Sequence, residues 1–387
     1  MKRWIALLLS LAMMPVFFTG CGPKNIASQS NLDTPQLHVR QGMRKLEAGD
    51  LAGAESELNY ALRLDSRYVD AVCGIALVRA QQGRMADALA EADKAMKLAD
   101  NRWKVYSTHG RVLGLAQPKD WYEDALKDFS KANSLAGADL AAKEEILYYD
   151  GLTRMQRYRF SEALEKLAKV VEMRGDFGGP ADAAMDKVQK ILRARPGTDA
   201  SSKVALQPVI DRGDLAVLLV DELDLPTIIA KHRKKAPDTS FSAPTDPMKM
   251  PDGSPQGVTE PADIQNHWAR TWINDLLEHG GMQLFPGGQF FPDAEVTRGE
   301  FADVIVNILA DVNNDPGLTT RFFGETSKFP DMNSSHPSYN AAAVVTTRGI
   351  ITANLTTGNF DPMGTIDGAD ALLIIRQLQN ELRQTFR

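Results

Sequence analysis

The stretch Phe290–Leu309, FFPDAEVTRGEFADVIVNIL, decides the reading of the C-terminal half of the chain. A Pro-Asp turn leads into Thr297-Arg298-Gly299-Glu300, and an apolar helix follows. Thr297 is placed to cap that helix, and Glu300, three residues on, to reach back to it as a capping box. Phe301, Val304, Ile305 and Ile308 recur at helical spacing, so one face is buried. Upstream, Asn266–Glu278 sets Trp268, Trp272, Ile273, Leu276 and Leu277 on one stripe, and Gly280-Gly281 ends it. Asp263–Leu309 therefore reads as helix, Gly/Pro-rich loop, helix. A unit of this size cannot bury its own stripe, so it needs partners of the same kind.

Two partners are visible. Val209–Leu223 repeats the pattern of the opening stretch, with Arg212-Gly213-Asp214-Leu215 against Arg298-Gly299-Glu300-Phe301. Ala181–Arg195, an amphipathic helix stopped by Pro196-Gly197, supplies its first helix. The Gly/Phe/Pro turn is missing from this copy. A third copy covers Phe329–Leu378. Tyr339–Arg348 is its first helix, Gly358-Asn359-Phe360-Asp361-Pro362 its turn, and Thr365–Asp370 the start of its second helix, without the arginine.

In the middle copy, Asp263, His267-Trp268-Ala269, Gly287–Pro292 and Thr297–Ala302 closely resemble an S-layer homology (SLH) repeat. That resemblance implies three copies around a pseudo-threefold axis, with cell-wall polymer bound in grooves between them. It implies a polymer site built from Asp263, Trp268, Thr297, Arg298 and Glu300, with Arg212 as the counterpart in the first copy. In such a site Arg298 offers a planar fork to an acidic group and Trp268 a flat face to a sugar ring.

The N-terminal half carries an internal period. Gly49 and Gly83, Ala54 and Ala88, Ala61 and Ala95, and Leu64 and Leu98 all lie 34 residues apart. Gly42, Ala76, Gly110 and Gly151, with Ala54, Ala88, Ala125 and Ala163, supply the small residues that closely approaching helices require. The pattern resembles tetratricopeptide (TPR) repeats, about four of them over 36–179. A solenoid of this kind offers a groove rather than a reaction centre. The resemblance puts Asp70, Lys104, Arg111, Glu145 and Tyr148 on the partner groove. Cys73 reads as a small buried hydrophobe.

Lys2-Arg3 followed by the apolar run Trp4–Phe18 is a secretory signal, too short and interrupted to span a membrane. Phe18-Thr19-Gly20-Cys21 resembles a bacterial lipobox, which implies a signal peptide over 1–20, lipid on Cys21 and a tether over 21–35. Acyl chains contribute about 0.8 kcal/mol per buried methylene, so several chains hold a protein on a membrane. Gly22 after the cysteine resembles outer-membrane sorting in diderm bacteria. A break over 226–262, with a basic run at Lys231–Lys235 and a Pro-rich tract, reads as a linker.

The fold expected is mainly α, a TPR helical solenoid followed by a three-repeat helical SLH domain: 180–225 (degenerate, also capping the solenoid), 263–311 and 328–380 (divergent). A net charge of −6 over 387 residues argues against nucleic acid as a partner. Two cysteines leave no disulfide framework. Asp311–Asp315 lacks the Gly and Glu of a calcium loop. No histidine spacing, catalytic order or phosphate loop stands out, so no enzyme, metal or cofactor is expected. The expected role is an envelope lipoprotein, lipid-anchored at the outer membrane and facing the periplasm, with wall polymer and an unidentified protein as partners. The alternative is an assembly factor or pilotin-like scaffold for a secretion, pilus or other envelope complex, in which the SLH unit is only structural.

Overall fold

The computed structural model describes residues 33–232 and 260–385. The signal peptide, Cys21, most of the tether and the Pro-rich tract lie outside the described residues. The described chain is mainly helical and divides after Thr153 into two compact units.

In the first unit α1 (Pro35–Glu47), α2 (Leu51–Leu64), α3 (Val69–Gln81), α4 (Met85–Leu98), α5 (Trp103–Ala116) and α6 (Trp121–Ala136) pair in sequence. Next comes α7 (Leu140–Gln156), which runs past the division. These repeated helix pairs are consistent with a TPR-like solenoid. Local chemistry sets their ends. Thr34 caps α1 by accepting the Leu37 N–H, and Asp50 caps α2 by accepting that of Gly53. Leu58 shows why small residues recur. It is fully buried, and a Cβ added at Gly42 would come within 2.8 Å of its side chain. Burying such a leucine contributes about 2 kcal/mol, which only a bare backbone opposite it permits. Cys73 is buried as expected. Burial pushes its thiol up to about 11, so it is not a reactive nucleophile.

The second unit contains α8 (Phe160–Met173), α9 (Gly178–Ala194), α10 (Asp199–Ala205), α11 (Arg212–Asp221) and α12 (Leu225–His232). They are followed by α13 (Arg270–His279), α14 (Arg298–Asn313), α15 (Tyr339–Thr347) and α16 (Gly368–Thr385). Here α8 packs on α9, α11 on α13, α14 on α15, and α16 on α9, α10 and α11. Leu215, Leu218, Phe290, Phe301, Tyr339 and Phe360 fill the core. Isolated bridges Asp211–Glu295 and Thr297–Thr365 tie successive helix starts together.

Two sequence expectations change. The linker expected from 226 begins as helix α12, because Leu225 and Ile229 find a core to enter. The helix expected from Asn266 begins only at Arg270. A 3-10 turn, Ala262–Ile264, and the His267 ring, whose Nδ1 accepts the Ala269 N–H at 3.2 Å, occupy the residues before it. Asp311–Asp315 is the C-terminal turn of α14, closed by Asn314 in the left-handed conformation.

Candidate functional site

The turn Phe290-Phe291-Pro292 exposes two successive N–H groups on one side, because Phe291 is left-handed (φ 55°). The Asp263 carboxylate accepts both, from Phe290 at 3.0 Å and Phe291 at 2.6 Å. Asp331 does the same for Phe360 and Asp361, at 3.0 and 2.6 Å, and Asp361 is also left-handed (φ 58°). Partial burial works against the Asp331 carboxylate. The N–H groups of Phe360 and Asp361, aided by Arg298, outweigh it and hold its pKa below the usual range.

Each turn is gripped by the helix start of the preceding segment. Arg212 sends Nε to the Phe290 carbonyl at 2.8 Å and Nη2 to that of Gln283 at 3.1 Å. Its guanidinium lies 4.7 Å from the ring centres of both Phe285 and Phe290. Arg298 sends Nε to the Phe360 carbonyl at 2.8 Å and Nη2 to that of Thr352 at 3.1 Å, beside the Phe360 ring. The orphan N–H groups of the helix starts are met in the same way. Arg212 and Gly213 donate to Ala294 and Pro292, and Arg298 and Gly299 to Gly364 and Pro362. Burial lowers both guanidinium pKa values, against Glu300 and Asp263 for Arg212 and against Asp361, Asp370 and Asp331 for Arg298.

The third seam is closed differently. Gly368, at the start of α16, donates its N–H to Gln207, and a Cβ there would lie 1.7 Å from the Val204 carbonyl oxygen. An arginine has no room at this position. The clamp comes from Arg376 instead, which donates to the carbonyls of Ala194 and Arg195 at 2.7 Å each and to the buried Glu222 carboxylate.

Two grooves flank the arginines. The one at Arg212 encloses about 340 Å³ and is lined by Gln283, Phe285, Glu300, Asp303, Asn307 and Asp311, among others. The one at Arg298 encloses about 940 Å³, lined by Asp331, Thr352, Asn354, Leu355, Thr356 and Asp361 among others. Among the described residues no group of three or more His, Cys, Asp or Glu is placed to hold a metal ion.

Comparison with known families gives one assignment. Residues 262–302 match the S-layer homology domain. No curated protein matches the chain. The SLH match indicates cell-wall anchoring and covers Asp263, Trp268, Thr297, Arg298 and Glu300.

The geometry redistributes the expected SLH site residues. Asp263 and Glu300 go with Arg212 rather than Arg298, because each arginine serves the turn of the following segment. Arg298 goes with Asp331. The forks expected to face a ligand instead hold backbone carbonyls through Nε and Nη2. Thr297 and Glu300 form the expected capping box, at 3.2 and 2.9 Å. The Lys203 ammonium lies 3.7 Å over one face of the Trp268 ring, which is 36% exposed.

In the first unit, Arg111, Glu145 and Tyr148 come together. Arg111 stacks 3.5 Å over Tyr149 and lies 3.7 Å from Glu145, and Tyr148 meets Tyr149 edge-on. Asp70 is paired with Arg102 at 2.8 Å, and the Lys104 ammonium lies 6.0 Å from the Trp103 ring centre. Asp331 and Phe285 escape a motif reading. Aligning Phe290 with Phe360 is the signal that finds Asp331, which precedes its turn much as Asp263 does.

Proposed function

We propose that this chain is a non-enzymatic envelope lipoprotein. Its C-terminal part grips peptidoglycan or a linked polymer, and its helix pairs take a protein partner. The observation that carries the reading is the SLH match over 262–302, set on a turn held by Asp263 and Arg212. The recurrence of the same bonds at Asp331 and Arg298 supports reading 328–380 as the divergent third SLH copy. The packing of α16 on α9 and of α11 on α13 supports 180–225 as a degenerate first copy. Lipid on Cys21 would hold the chain at the outer membrane, facing the periplasm. Among the described residues no helix is long and apolar enough to cross a membrane. The Arg111–Glu145–Tyr148 cluster is the part of the partner groove we expect to engage protein.

Cosedimentation of the purified chain with purified cell wall tests this reading. Retention in the wall pellet is expected. A chain that stays in the supernatant, while crosslinking in cells joins the first unit to one envelope complex, would favour a scaffold role instead.

A further inference from the structure

Two turns of the second unit hold large side chains where glycine is the ordinary choice. Tyr158 lies in the turn between α7 and α8 with φ 61°. In the same turn of two earlier helix pairs, with the same N–H groups donating back to the first helix, stand Gly49 and Gly83, both with φ 78°. Arg195 closes α9 with φ 51°, a conformation that glycine usually supplies at a helix end. A left-handed backbone strains both L residues. The core does not demand them, because Tyr158 is only half-buried and Arg195 is exposed. Backbone strain kept at the surface is characteristic of sites in use.

Both side chains line one cavity. It encloses about 300 Å³, and Phe160, Ile191, Leu192 and Pro196 give it an apolar wall. The Tyr158 and Phe160 ring centres lie 6.3 Å apart. A cavity at the small end of ligand pockets has room for one large side chain. The rim is basic. Arg157, Arg159 and Arg195 are exposed. Among the described residues none of these three has an ion-pair partner, whereas Arg154 is bound to Glu162 and Arg376 to Glu222. Burial, and then Asp199, raise the pKa of the Tyr158 hydroxyl, and Arg157 opposes them. Asp199 lines the cavity as well. Asp221 stands behind Thr198, its oxygens taken by the Thr198 hydroxyl and the Trp272 indole, at 2.7 Å each. Three unpaired guanidiniums outnumber the carboxylates and favour an acidic partner.

We propose that this cavity docks an acidic segment of a partner protein, which sets one large apolar side chain against Tyr158 and Phe160 and its carboxylates on Arg157, Arg159 and Arg195. The site shares no residue with the grooves at Arg212 and Arg298 or with the Arg111–Glu145–Tyr148 cluster.

Glycine separates binding from folding at both strained positions, since it accepts a positive φ without strain. The full purified chain is titrated by fluorescence anisotropy against a labelled peptide of glutamates around one central phenylalanine. Two further peptides carry serine for the phenylalanine or lysines for the glutamates. The parent should bind the serine peptide about tenfold more weakly than the phenylalanine one and the lysine peptide not at all. Tyr158→Gly and Arg195→Gly should melt at or above the parent and bind the phenylalanine peptide about tenfold more weakly. Arg157→Gln should weaken binding at low salt, and Arg321→Gln, which removes an exposed arginine outside the cavity, should bind like the parent. Equal affinity for the phenylalanine and serine peptides overturns the docking cavity. Equal losses in Arg157→Gln and Arg321→Gln show attraction by bulk charge alone and overturn it too. Glycine variants that both melt below the parent overturn the argument from strain. Retention on phosphatidylglycerol vesicles without peptide binding assigns the basic rim to a membrane surface instead.

Discussion

The Asp331 carboxylate accepts the backbone N–H of Asp361 at 2.6 Å. It also takes the Phe360 N–H, so one side chain satisfies two donors of a turn that has no ladder to join. Asp331→Ala should destabilise the second unit by about 2 kcal/mol, the scale of losing charge-assisted hydrogen bonds at a partly solvated site. Asp331→Asn, which keeps one acceptor oxygen, should lose less. Because the folded carboxyl has a lowered pKa, its stabilisation is present above the ordinary aspartate value and disappears as pH falls through the folded one. Denaturant melts of parent and variant at neutral and acid pH measure this. Equal midpoints for parent and Asp331→Ala would remove the carboxylate from the account of the turn.

Much of this architecture was legible because its signals are local. The Thr297–Glu300 capping box spans three residues, and the stripe of α14 is a periodicity. The 34-residue spacing of Gly49 and Gly83 reads as a repeat because both glycines leave a helix with φ 78°. What escaped depends on residues far apart in sequence. Arg212 and the Phe290 carbonyl are 78 positions apart, and nothing in either stretch says that the guanidinium is already engaged. The same distance hides the swap by which Asp263 serves Arg212 and Asp331 serves Arg298. The stretch around Trp268 gives no sign that Lys203, from another segment, lies over one face of its ring. Leu225 and Ile229 looked like the start of a linker because two apolar residues cannot announce the core they enter.

Asp214 completes the capping box of α11 but is 4% exposed. Burial, and then the charge of Asp211, push its carboxyl up to about 6. The folded state therefore binds more protons than the unfolded one between about pH 4 and 6, and stability falls as pH rises through that window. Asp214→Asn keeps the size and an acceptor for the Asp211 N–H while removing the charge. It should raise stability at pH 7.5 by about 1–2 kcal/mol, because relief from burying a charge beside Asp211 is partly offset by the lost attraction to the helix N-terminus. Melts of both proteins across pH 4–8 check this. A constant difference between them over the whole range would mean the carboxyl titrates normally.

His109 on α5 shows the same sign of pH dependence, but here it is the charged form that the fold favours. Its Nδ1 lies 2.5 Å from Asp128 on α6, and its Nε2 lies 3.4 Å from Asp93 on α4. Burial pulls its pKa down, but Asp128, Asp93 and Asp124 outweigh that and leave it raised. The stabilisation is complete below the unfolded value near 6.5 and is lost as pH rises through the folded value. His109→Gln should flatten that loss in the first unit, at a cost of about 1 kcal/mol at pH 6. An NMR titration that places the His109 midpoint below that of a model histidine peptide would refute the ion-pair account.

Gly368 carries the third seam. Its N–H reaches Gln207, and the space where a Cβ would stand is filled by the Val204 carbonyl, a backbone atom that cannot rotate away. Gly368→Ala should therefore force α16 off α10 and strain the Arg376–Glu222 clamp, costing on the order of 3 kcal/mol. A helix-favouring change from glycine to alanine would otherwise add stability. Gly178, at the start of α9, is the control, because a Cβ there meets nothing within 4 Å. Gly178→Ala should leave the midpoint unchanged or raise it, while Gly368→Ala lowers it. Hydrogen exchange should show the loss first in the amides of α16 and α9, since those helices meet at this seam. If the two variants melt alike, the seam is looser than the Val204 contact implies, and the missing arginine of the third segment needs a different explanation.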